Sequence, residues 1–192
     1  MESIKATLVG VAPLLMCNGQ MADPLNEHAR ALAEAIKDRK NKKTIEGIAL
    51  IRRLEWLGHI YQDTKGIVGI PGDSIVALVL GGAKKSKRGQ EAKAGVYEAQ
   101  PFFPLVYDGP KKVAELYKDP RFVDCRGVRQ QRNRIMRTRP IFKDWKLPIE
   151  LHVETDIMDR KAVETALVEA GVIGLGDYHY RFGRFTVEFK KS

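Results

Sequence analysis

Residues 174–185 read G-L-G-D-Y-H-Y-R-F-G-R-F, and the elements on either side of them decide the fold. An apolar helical pattern runs over residues 162–170. After the stretch, Phe185, Val187 and Phe189 alternate with Thr186 and Glu188. The order is therefore helix, glycine loop, strand. The loop holds three glycines, two arginines, two tyrosines, two phenylalanines and a histidine in twelve residues. Glycines permit left-handed backbone and close approach. Arginines grip phosphates and aromatics stack on bases. A dinucleotide fingerprint follows a strand and opens a helix. Here that order is reversed and His179 stands where the third glycine belongs, so a nucleotide cofactor is set aside. The other reading of the loop is a long, well-packed hairpin-like turn with its aromatics in the core.

Outward from the loop, 192 residues suffice for one domain with sizeable insertions. No run of eighteen apolar residues exists, and the start lacks a signal-peptide layout. Cys17 and Cys125 fit no zinc spacing. A cytoplasmic protein without membrane, metal or cofactor is expected. Thirty-three Lys and Arg against twenty-four Asp and Glu leave a net charge of +9. That excess points to an anionic partner, most often nucleic acid, against the plainer reading of a merely basic surface.

Taken from the start, residues 3–11 alternate as a first strand. Helices fit residues 25–37, with Asp23 as cap, and residues 44–57, ended by Gly58. A short strand fits 59–62. Asp73 or Ser74 is expected to cap a helix that ends at Gly81-Gly82. Residues 84–93 carry Lys84, Lys85, Lys87, Arg88 and Lys93 in a mobile, glycine-punctuated stretch. Residues 96–106 read as a strand interrupted by Pro101 and Pro104, and residues 111–117 as a short helix. Seven arginines follow within residues 121–139, and only the end of that run reads as a strand. Residues 147–153 alternate as a further strand, and Asp159 caps the helix before the glycine loop.

Stripped of insertions this is strand, helix, strands, helix, strand. The expected class is α+β: a ferredoxin-like, RRM-like antiparallel sheet with two helices on one face. One domain over 1–192 is expected, with a helical insertion after the first strand at about 23–58 and a basic insertion at about 108–134. RNA-recognition domains of this arrangement present aromatics and cations on the free sheet face.

Two stretches sharpen the reading. Ile70-Pro71-Gly72-Asp73-Ser74 resembles the isoleucine-proline-glycine-serine-serine helix start of RAMP-superfamily proteins, which include backbone subunits of CRISPR effector complexes. The loop at 174–183 is similar to that superfamily's glycine-rich loop before the last strand. The match spans the chain in outline and the two stretches by motif. It departs at Asp73, Tyr178, His179 and Tyr180. The chain also resembles a recurrent type of small phage-encoded protein through residues 13–16 (Pro-Leu-Leu-Met), 22–26 (Ala-Asp-Pro-Leu-Asn) and 174–185. This implies a setting in phage replication, recombination or counter-defence.

Some RAMP proteins cut RNA with an aspartate in the insertion after the first strand, and Asp23 is the only counterpart by position. It reads equally well as a helix-start turn. His28, His59, His152 and His179 form no metal spacing. His179, between two tyrosines, fits base stacking better than acid–base work, because no partner nucleophile is evident. Asp156, Asp159 and Asp177 are set aside as a divalent site, since Asp159 serves as a cap. The arginine run also fits a charged edge strand that guards against aggregation.

The expectation is sequence-independent, non-catalytic binding of single-stranded DNA or RNA, with possible self-association along the strand. The expected contacts are Lys84, Lys85, Lys87, Arg88, Arg129, Arg132, Arg134, Arg137, Arg139, Tyr178, His179, Tyr180, Arg181 and Arg184. The alternatives are a RAMP-type endoribonuclease or guide-RNA-binding effector subunit, and an inhibitor that binds another protein.

Overall fold

The computed structural model describes residues 1–131 and 133–190. In chain order its strands are β1 (Glu2–Gly10), β2 (Leu14–Leu15), β3 (Gly69–Pro71), β4 (Val96–Glu98), β5 (Phe102–Pro104), β6 (Val123–Gln130), β7 (Asn133–Phe142), β8 (Lys146–Val153) and β9 (Phe185–Phe189). Its helices are α1 (Glu27–Lys37), α2 (Ile45–His59), α3 (Gly72–Lys85), α4 (Gly89–Gly95), α5 (Val113–Leu116) and α6 (Arg160–Ile173). The chain is α+β with antiparallel strand pairing. It divides into two compact units, each built from separate stretches of sequence.

The first unit holds Met1–Leu15, Gln62–Gly109 and the described part of Phe142–Ser192. Its sheet has the order β4-β8-β1-β9, every pairing antiparallel. Period-2 alternation builds it: Ile4, Ala6 and Leu8 of β1 lie opposite Leu151, Ile149 and Leu147 of β8, and all six are buried. The buried stripes of α3 (Ile75, Leu78, Val79) and α6 (Val163, Ala166, Leu167, Ala170) complete this core. Two glycines set the close approaches. A β-carbon at Gly82 would overlap the Ala166 carbonyl, so α3 and α6 touch at backbone distance. One at Gly171 would overlap the Phe185 carbonyl, which seats α6 on β9 and fixes where the glycine loop begins.

The second unit holds Met16–Tyr61 and Pro110–Ile141. The stretches read as insertions, 23–58 and 108–134, fall almost entirely inside it. Trp56 of α2 is fully buried there. Its Nε1 donates to the Phe122 carbonyl at 2.9 Å, and its ring stands edge-on to Tyr117 with centroids 5.3 Å apart. β6 and β7 form a hairpin paired from Val123↔Pro140 to Gln130↔Asn133.

Several local expectations are corrected. Asn26, not Asp23, caps α1, accepting from the His28 N–H. The strand expected at 59–62 is absent: α2 runs to His59, and of that stretch Gln62 alone forms a bridge, to Val68. Pro71 occupies the N-cap of α3, without a side-chain cap, so Asp73 sits inside the first turn, where its charge suits the helix dipole. α3 continues past Gly81-Gly82 to Lys85, and Gly82 serves its packing on α6 rather than its termination. The stretch at 84–93 is largely helical, ending α3 and forming most of α4. The arginine run is mostly hairpin rather than strand at its end alone, since Val123, Cys125, Val128 and Ile135 supply apolar positions between the charges.

Candidate nucleic-acid interface

In the first unit the glycine loop leaves the C-terminus of α6. Its backbone is pinned. Leu175 N–H donates to the Gly183 carbonyl at 2.9 Å, Gly183 N–H to Pro13 at 2.7 Å, Asp177 N–H to Leu15 at 3.0 Å and Tyr180 N–H to Ile173 at 2.8 Å. Gly174, Gly176 and Gly183 all have positive φ, the freedom the sequence required of them. Tyr178 (φ 55°) and Tyr180 (φ 67°) share that left-handed region although they carry β-carbons. Neither is buried: Tyr180 is 68% exposed and Tyr178 36%, the latter's ring tilted toward Phe182 at 6.3 Å. His179, Arg181 and Arg184 are exposed as well. His179 Nδ1 stands 3.2 Å from the Gly174 carbonyl oxygen. A carbonyl can only accept, so Nδ1 carries the proton and the ring is held in place. The loop core is Leu175, Gly183 and Phe185, not the tyrosines.

The lysine-rich turn of the same unit holds two kinds of cation. Lys85 is tied to Glu169 at 2.8 Å. Arg88 is tied to Glu91 at 2.6 Å and to Asp159 at 2.9 Å. The hydrogen bond from Arg88, backed by the Ala162 N–H, holds the Asp159 carboxyl below the usual range. These two cations brace α3 and α4 against α6. Lys84, Lys87 and Lys93 have no such partner among the described residues. They line a hollow that contains no residue of the glycine loop.

The free face of the sheet differs from that of RNA-recognition domains. It carries Ser3, Lys5, Thr7, Glu150, His152, Thr186 and Glu188 from its longer strands and Tyr97 from β4. The Ser3 hydroxyl donates to Glu150 at 2.6 Å and, with Lys5 at 3.6 Å, holds that carboxyl below its ordinary range. The tyrosines Tyr178 and Tyr180 and the arginines Arg181 and Arg184 lie on the glycine loop instead.

In the second unit the hairpin register sorts the arginines. Asp124 and Arg126 of β6 share a face with Arg137 and Arg139 of β7, while Arg129 and Arg134 lie directly opposite one another on the other face. Like charges placed opposite repel. The Arg126–Arg137 pair is compensated: Arg126 bonds Asp124, and Arg137 donates to Glu55 at 2.7 Å. Glu55 is only 4% exposed and also accepts from the Thr138 N–H at 2.8 Å. Arg139 faces Asp124 in the register. Arg129 and Arg134 have no carboxylate among the described residues; Arg129 donates to the Gln131 carbonyl at 3.2 Å. Arg132 lies outside the described residues. Sequence reading missed Glu55. Its signal was a carboxylate at helical spacing from Ile48 and Ile51, on a stripe where a charge needs a partner.

If Arg129 and Arg134 meet phosphates, replacing both with alanine should lower the log–log salt slope of binding by roughly 1.4, two contacts at about 0.7 each on a single strand. The same variant should melt no earlier than the parent, because it removes a repulsive pair worth about 0.2–1 kcal/mol. A normal slope with early melting would make the pair structural.

Asp23 is exposed, and its Oδ1 accepts from the Leu25 N–H at 2.9 Å, a turn-forming role. Among the described residues no group of three His, Cys, Asp or Glu is placed to hold a metal ion. No described helix is long and apolar enough to cross a membrane. No protein-family model matches the chain, and no curated protein matches its sequence.

Proposed function

We propose that this protein binds single-stranded nucleic acid, without cutting it, on a ferredoxin-like scaffold of the RAMP kind. The strand order β4-β8-β1-β9, with α3 and α6 as its two long helices, supports the scaffold reading. One observation carries the binding reading. Two tyrosines are held at left-handed φ, Tyr180 mostly in solvent and Tyr178 tilted toward Phe182, on a loop whose backbone is pinned at both ends. A left-handed residue with a β-carbon costs about 1–2 kcal/mol. The Tyr180 ring, 68% exposed, recovers little of that by burial. Strain of this kind marks a site whose return comes from a ligand. A flat π-face beside Arg181 and Arg184 suits a base and its phosphates in any sequence. The nuclease reading has less behind it, since the Asp23 carboxylate supports its own turn and no group of three His, Cys, Asp or Glu among the described residues is placed to hold a metal beside it.

Tyr180→Ala should weaken binding of an oligonucleotide by about 1–3 kcal/mol through lost stacking, with little change in melting temperature. Anisotropy titration and a thermal melt on one preparation measure both. Early melting with full-strength binding by the folded fraction would make the loop scaffold and shift the interface to the arginine hairpin.

A further inference from the structure

We infer that the hollow lined by Lys84, Lys87 and Lys93 is a pocket for a phosphate monoester, and that on a nucleic acid it takes the terminal phosphate of a strand. This rests on the strand-binding reading above but concerns different residues. The hollow measures about 390 Å³, within the range of small-ligand clefts, and Leu80, Gly89 and Gln90 complete its wall. Three lysines and no acidic residue line it. The nearby cations Lys85 and Arg88 are each neutralised, and the one acidic residue of this segment, Glu91, is bound to Arg88. The charge left at the hollow is therefore concentrated and uncompensated. An internal phosphodiester carries one negative charge, whereas a terminal monoester carries about −1.5 to −2 at neutral pH. Three lysines favour the second, and a hollow suits a chain end better than a chain passing through.

Lys87 supplies an independent reason. It has φ 60°, and it follows the C-cap Ser86 of α3, whose N–H donates to the Ala83 carbonyl. Helices ending this way favour glycine at that position, because a β-carbon is strained there. A lysine kept at a glycine position, with its side chain on the wall of the hollow, is placed for its charge and not for the turn.

The test titrates the full chain with one fluorescent oligonucleotide in two forms, 5′-phosphorylated and 5′-hydroxyl, with 3′-phosphorylated strand and inorganic phosphate as further arms. The phosphorylated form, at one end or the other, should bind about tenfold tighter. Lys87→Gly should abolish that preference while melting no earlier than the parent, since glycine relieves the turn. Lys84→Ala with Lys93→Ala should likewise bring the ratio of phosphorylated to hydroxyl-ended affinity to about one, whatever the pair of changes does to binding of both forms together. Equal binding of all forms, or a preference that survives Lys87→Gly, overturns the pocket and leaves the strand-binding reading standing. Binding of inorganic phosphate that requires Lys87, with no binding of any oligonucleotide, keeps the phosphate pocket and removes the strand as its source. No binding in any arm overturns both.

Discussion

Replacing Glu55 with alanine is expected to destabilise the unit formed by Met16–Tyr61 and Pro110–Ile141 by about 2–4 kcal/mol. Glu55 is buried on α2 and serves two donors of β7, the Arg137 guanidinium and the Thr138 N–H. Truncation removes an acceptor from each of them. The Thr138 residue is itself 1% exposed, so its amide gains no water in exchange. Arg137 keeps partial access to solvent, at 32% side-chain exposure, which holds the cost below that of a fully buried ion left alone. The loss also restores the repulsion between Arg126 and Arg137, which stand opposite in the register. Glu55→Gln keeps an acceptor for Thr138 and should recover about half of the difference. Urea denaturation followed by fluorescence reports on this unit through Trp56 and on the other through Trp145, and the Trp56 phase is the one expected to move. A Glu55→Ala protein as stable as the parent would show that the ion pair does not hold the hairpin to its helix.

The second large effect is expected at Gly183. A β-carbon there would overlap the Leu175 carbonyl, and the residue's φ of 66° adds strain. The bonds Leu175 N–H to Gly183 and Gly183 N–H to Pro13 pass through the same point. Gly183→Ala should therefore exceed the roughly 1–2 kcal/mol that left-handed backbone alone costs, by disturbing the loop that presents Tyr178 and Tyr180. Gly66 is the control: its φ is 78°, but nothing lies within 4 Å of an added β-carbon. Gly66→Ala should show the backbone cost only, with strand binding unchanged. Equal melting temperatures for the two variants would mean that the overlap at Gly183 relaxes freely.

The α+β class was legible because alternation and helical spacing survive in β1, β8, β9 and α6. The three loop glycines were legible too, since a helix-to-strand turn demands positive φ. The position of each cation was not. Sequence shows that Arg88 and Arg137 are charged, but their partners Asp159 and Glu55 lie 71 and 82 residues away. Only packing separates cations that brace the fold from those left unmatched, such as Lys84, Lys87, Arg129 and Arg134. The division into two units was hidden for the same reason, because each insertion finds its core in the other. Helix starts were misplaced where backbone packing, as at Gly72 against the Gln100 carbonyl, overrode the choice of capping residue.

The most direct measurement is an anisotropy titration of a labelled single-stranded oligonucleotide of about twenty nucleotides, with the product run on a denaturing gel. It is done near 50 mM and near 200 mM salt, with and without magnesium, on the parent and on Tyr180→Ala. The account predicts tight binding at low salt, a steep loss at the higher salt, an intact strand in every lane and weaker binding by Tyr180→Ala. No anisotropy change at low salt, or magnesium-dependent shortening of the strand that disappears in Asp23→Ala, would contradict it.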